Sequence, residues 1–117
     1  MQSVKIAIRR VAPLMILDLD GAVTGSADEA LRTAYANASA EAARDVLLNF
    51  GGVDHMDSTG ISVIIALLTE ARQRQQRLMI TGLSAHYRKI FDFMGLAQYA
   101  PVFESEEAAL AWITQHH

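Results

Sequence analysis

Between Val46 and Ala71 the apolar pattern of this chain changes period, and one polar tetrapeptide marks the change. Val46-Leu47-Leu48-Asn49-Phe50 is a short, mostly apolar run that ends at Gly51-Gly52. Such a run suits a strand buried in a sheet. From Ile61 onward the apolar residues recur as Ile61, Ile64, Ile65, Leu68 and Ala71, which is helical spacing. Asp57-Ser58-Thr59-Gly60 stands between the two patterns. A serine placed there lies at the positive end of a helix, on a loop that faces solvent. That position suits a reversible phosphate.

The rest of the chain repeats the alternation of strand and helix. Val4 to Val11 alternates Val4, Ile6 and Ile8 against Lys5, Ala7 and Arg9, the period of a half-buried strand that Pro13 breaks. Leu14 to Leu19 is a second strand, ending at Gly21, and so short a connection predicts antiparallel pairing. Ser26 is expected to cap a helix that runs to about Glu41 or Ala43, with Ala30, Leu31, Ala34, Tyr35 and Ala38 on its inner face. Arg77 to Thr81 reads as a fourth strand and His86 to Gly95 as a third helix, with Tyr87, Ile90, Phe91 and Met94 as its apolar stripe. Phe93 falls off that stripe. Val102-Phe103 is a short edge strand, and Ser105 caps a last helix with Glu106 and Glu107 in its first turn. Strands alternating with helices after residue 26 imply parallel pairing through right-handed crossovers.

Composition narrows the function. The 117 residues are enough for one domain with a single core, and about half are apolar with only two prolines. There is no cysteine, which excludes disulfides and thiolate chemistry and is compatible with the cytoplasm. Arg9, Arg10, Asp18 and Asp20 interrupt the N-terminal apolar residues, so no signal peptide or membrane span is expected there. A net charge of -3 argues against a nucleic-acid partner.

The stretch from Val46 to Leu83, with Asp57-Ser58-Thr59-Gly60 at its centre, resembles the middle of the STAS domain of anti-sigma factor antagonists. The likeness continues through Ser84 to Leu96 and ends with Val102-Phe103 and Ser105 to Leu110; residues 1–45 match in pattern only. The resemblance implies one α/β STAS domain over residues 1–117. Its mixed sheet would have four to five strands, an antiparallel N-terminal pair followed by parallel strands, with about four helices. It also implies a bacterial regulator of sigma-factor-dependent transcription that works by partner switching. In that family the unphosphorylated antagonist binds an anti-sigma factor that is also a serine kinase, phosphorylation releases it, and a phosphatase restores it. Carried to this chain, the phosphate acceptor is Ser58, with Thr59 as the other candidate. The partner surface comprises Asp54, His55, Met56, Asp57, Ser58, Thr59, Gly60 and Thr24. No cofactor and no metal belong to the antagonist, and ATP and magnesium come with the kinase. Two positions depart from the family pattern: Thr24 replaces an acidic residue that usually faces the partner, and Asn49 replaces a strand Asp.

The same residues admit other readings. STAS domains also act as scaffolds in signalling complexes and as partner subunits in lipid transport. Asp54, His55 and Ser58 have the residue types of a hydrolase triad, but they crowd one segment and lack a G-x-S-x-G elbow. The same crowding lacks the spacing of a metal site. Arg72, Arg74 and Arg77 read as a solvated helix end. Ser62, Val63, Ala66 and Leu67 are expected on the outer flank of the helix that begins at Ser58.

Overall fold

The computed structural model describes residues 4–40 and 45–115. Its single sheet has the order β1-β2-β3-β4-β5, formed by Lys5–Val11, Leu14–Val23, Asp45–Met56, Arg77–Thr81 and Val102–Phe103. Strands β1 and β2 pair antiparallel and every later pair is parallel. Helices α1 (Asp28–Ala40), α2 (Ser58–Gln73), α3 (Ala85–Phe93) and α4 (Glu106–Gln115) fill the crossovers and the C-terminus.

Alternation within each strand decides which helix it meets. Met15, Leu17 and Leu19 of β2, Val46, Leu48 and Phe50 of β3, and Leu78 and Ile80 of β4 point to one face. There they pack against Leu31, Tyr35 and Ala38 of α1, Ile64, Leu67 and Leu68 of α2, and Phe91 of α3. Leu14, Ile16, Leu47 and Met79 point to the other face and meet Ala109 and Ile113 of α4. Both faces of the central strands are covered, so their sequences read as continuous apolar runs.

Several expectations shift. The helix expected from Ser26 is instead preceded by a 3-10 turn, Gly25–Ala27, and α1 starts at Asp28. Ser26 caps nothing; its hydroxyl lies 2.9 Å from that of Thr24. The expected end of that helix at Glu41 or Ala43 lies outside the described residues. Ala30 is exposed and Leu67 is buried, the reverse of their expected sides. Val4, just before β1, is buried, but Ile8 on this edge strand is 40% exposed.

The largest difference concerns β2 and β3, which both run past their expected ends, to Val23 and Met56. Register shifts occur between Asp18 and Asp20 and between Gly21 and Ala22 of β2. The glycines that look like strand terminators are therefore irregularities inside a continuing strand. β4 ends at Thr81, opposite Asn49. The tails of β2 and β3 thus project beyond β4 as a two-stranded ribbon, and that ribbon delivers the chain to α2.

Candidate functional site

The ribbon's two ends and the first turn of α2 meet at one place. Val23 ends β2, Met56 ends β3, and Asp57 is the residue before the helix. Gly60 makes the meeting possible: a Cβ there would stand 1.9 Å from the carbonyl oxygen of Val23. Only glycine permits so close an approach of helix to strand. The Asp57 N–H reaches the same Val23 carbonyl at 3.4 Å.

Asp57 is the helix cap. Its backbone is extended, with φ -101° and ψ -179°, and its Oδ1 accepts from the Gly60 N–H at 2.8 Å. The same oxygen accepts from the Thr59 hydroxyl at 2.7 Å. Thr59 Oγ1 in turn accepts from the Gly25 N–H at 3.1 Å. Hydrogen bonds from the Thr59 hydroxyl first and then from the Gly60 N–H hold the Asp57 carboxyl below the usual carboxylate range, with a smaller contribution from the nearby His55. First-turn N–H groups are the natural ligands of an anion at a helix start. Here Asp57 already occupies one of them, the Gly60 N–H.

Ser58 is therefore not the cap. It is the first residue of α2 and is exposed, and its Oγ makes no hydrogen bond among the described residues. Its carbonyl accepts from the Ser62 hydroxyl at 3.0 Å. Asp54 and His55 are also exposed, whereas Met56 is buried. Tyr87 on α3 fixes Met56 from outside the ribbon. The Tyr87 hydroxyl accepts from the Met56 N–H at 2.8 Å and donates to its carbonyl at 3.3 Å. The sequence shows Tyr87 only as a member of an apolar stripe; its polar task depends on where β3 ends.

The two departing residues both have local partners. Thr24 precedes the 3-10 turn with its hydroxyl against Ser26. Asn49 Nδ2 donates to Asp18 Oδ1 at 2.8 Å, while its Oδ1 accepts from the Gly51 N–H at 3.0 Å. Asp18 also pairs with Arg9, and that contact holds its carboxyl below the usual range. An Asp at position 49 would set two carboxylates side by side, so the amide fits this site better.

No hydrogen bond joins Asp54, His55 and Ser58 among the described residues, so the structure contains no base–nucleophile pair there. Nor is any group of three or more His, Asp or Glu side chains placed to hold a metal, among those residues. Arg77 departs from the expected solvated helix end. It lies in β4, pairs with Asp45 through two hydrogen bonds and sits 5.2 Å above the Trp112 ring. Arg72 stacks 5.4 Å above Tyr99.

The class is thus an α/β domain that presents an exposed serine hydroxyl at a capped helix start. Residues 5–109 match the family model of the STAS domain, so the chain belongs to the STAS domain family. Within that family it resembles anti-sigma factor antagonists. BtrV of Bordetella bronchiseptica, a proposed anti-sigma factor antagonist, is 30% identical over 107 residues, which is 92% of each chain. Solved structures repeat the fold. An anti-sigma factor antagonist from Mycobacterium paratuberculosis superposes with a TM-score of 0.79 at 14% identity, over 96% of this chain and 95% of that one. The Bacillus cell fate determinant SpoIIAA, in its phosphorylated form, gives a TM-score of 0.70 at 23% identity, over 93% of this chain and 99% of that one. No helix among the described residues is long and apolar enough to cross a membrane.

Proposed function

We propose that this chain is an anti-sigma factor antagonist whose hold on an anti-sigma factor that is also a serine kinase is released by phosphorylation of Ser58. One observation carries the reading: beside the cap, Ser58 presents an exposed hydroxyl with no hydrogen bond among the described residues. The kinase would transfer the γ-phosphoryl group of ATP to Ser58 Oγ, with ADP leaving and the hydroxyl proton passing to a base of the kinase. ATP and magnesium belong to the kinase, and the antagonist is its substrate.

The charge arithmetic explains release. A phosphate adds about -1.5 to -2 charges. It would stand beside Asp57 and close in sequence to Asp54, with the Gly60 N–H already taken by the cap. In open water that repulsion is well screened. Under a docked partner it is not, so the bound state loses more than the free state. A phosphatase acting on phospho-Ser58 would reset the surface. Both partners and the sigma factor work on the ATP side of the membrane, which places the protein in the cytoplasm. That a protein of this fold has been solved in a phosphorylated form agrees with the reading.

A pull-down from the native host with wild type, Ser58→Ala and Ser58→Asp tests it. The expected result is a kinase held by the first two baits and lost by the third. Equal capture by all three sinks the proposal.

A further inference from the structure

The hydroxyls of Ser58 and Thr59 are neighbours in sequence, yet their surroundings differ completely. Ser58 Oγ is free among the described residues. Thr59 Oγ1 is engaged on two sides, accepting from Gly25 and donating to Asp57. We propose that Thr59 is a positioning residue: it clamps the Thr24–Ser26 turn to the start of α2, so that a kinase meets turn and serine as one rigid surface and modifies Ser58 alone. The inference rests on the function proposed above.

The clamp bridges elements that are remote in sequence. Gly25 and Thr59 are separated by 34 positions, and their bond is the one that fixes the turn's N–H. Gly25 leaves just enough space for it, since a Cβ there would stand 3.3 Å from Thr59 Oγ1. The Thr24 and Ser26 hydroxyls bond each other across this glycine, at 2.9 Å, so the turn is tied both to itself and to the helix. The contact between the Val23 carbonyl and Gly60 supplies a third tie one residue away on each side. Thr24 and Ser58 are thereby held in a fixed relation although no bond joins them.

The same geometry selects the acceptor. Phosphoryl transfer needs an oxygen lone pair in line with the donor phosphate. At Thr59 one of the oxygen's two lone pairs serves Gly25 and its proton serves Asp57, so an in-line approach has to compete with both contacts. At Ser58 nothing has to be broken. Phosphate on Thr59 would also remove the proton donated to Asp57 and set a dianion against that carboxylate.

Two measurements decide the matter. Amide hydrogen exchange of wild type, Thr59→Val and Thr59→Ser reports the clamp without any partner. Val keeps the shape of Thr and removes both bonds. Gly25 should exchange roughly fivefold faster in Thr59→Val, the factor that one hydrogen bond of ordinary net strength supplies. Thr59→Ser should restore the wild-type rate, and Leu47 and Leu48 in the core should exchange alike in all three. Equal Gly25 rates in wild type and Thr59→Val would overturn the clamp.

Acceptor choice is read by incubating wild type and Ser58→Ala with radiolabelled ATP in extract of the native host, then mapping the label. Label on Ser58 in wild type and none on Thr59 in Ser58→Ala supports the selection; label on Thr59 in either overturns it. Absence of label from both proteins would sink the kinase reading, while the exchange rates still decide the clamp.

Discussion

Strand β3 begins on one aspartate and is followed directly by another, and the two ends are built differently. At its start Asp45 is 5% exposed and holds Arg77, which stacks on the ring of Trp112, through two hydrogen bonds. Beyond its end Asp57 lies at the surface and gathers the Thr59 hydroxyl and the Gly60 N–H around one oxygen. Charge at the first end is buried and neutralised by a half-buried arginine. Charge at the second is balanced by dipoles and a hydroxyl, which a new charge nearby can disturb. A static staple and a responsive cap therefore occupy opposite ends of one rigid strand. The core between them, from Val46 to Phe50, separates the two ends.

Asp45→Ala attacks the staple and should produce the largest loss of stability. Removing one partner of a buried pair strands the other charge, at a cost of about 3 kcal/mol. Urea unfolding measures it, and Asp45→Leu combined with Arg77→Met should recover most of the loss, because two apolar groups leave no orphan charge. If the double variant is as unstable as the single one, packing and not charge pairing holds this end. Gly60→Ala comes next. Overpacking against a backbone carbonyl costs up to about 3 kcal/mol, and alanine's better helix propensity returns roughly 1. A net loss near 2 kcal/mol is expected, together with faster amide exchange at Gly25 as the helix start moves away from β2.

The sequence discloses these two ends unequally. The apolar core of β3, all of β4 and β5 and the start of α2 are legible because hydrophobic period and turn chemistry are local properties. So is the tetrapeptide at residues 57–60, since capping preferences act within one turn. The Asp45–Arg77 pair is not legible, because 32 positions separate its members and only the parallel register of β3 on β4 joins them. The ribbon is hidden for a different reason. Gly51-Gly52 is a turn signal by composition, but pairing with the tail of β2 carries the strand through it. Ser26 has the chemistry of a cap, and a 3-10 turn whose Gly25 N–H bonds the distant Thr59 takes the place of the expected helix start. Tyr87 stays unread for the same reason as Arg77: its partner is backbone at the end of a longer strand.

Acid should separate the two ends by a smaller margin. The Asp57 carboxyl titrates below its ordinary range when folded, so the unfolded chain binds more protons as pH falls into that range. Its contribution is complete above the ordinary carboxylate value and is lost as pH drops through the depressed one. Asp18, held down by Arg9, adds a loss of the same sign. Urea midpoints taken between neutral pH and about pH 2 should fall less steeply in Asp57→Asn than in wild type. Asparagine can still cap the helix but no longer carries the titrating proton. Parallel curves would show that Asp57 is not a source of the acid sensitivity.

The smallest effect on stability should come from the substitution with the largest effect on recognition. Ser58→Asp places a negative charge at the first position of α2, which the helix dipole favours and the neighbouring Asp57 opposes. The side chain is exposed and displaces no hydrogen bond of Ser58 Oγ, so the net change should stay within about 0.5 kcal/mol. Thermal unfolding of wild type and Ser58→Asp should then superpose nearly, while capture of the kinase is lost. Two curves that differ by several degrees would mean that charge at Ser58 reaches the core. In that case loss of the partner would report unfolding, and the division of β3 into a static end and a responsive end would fail.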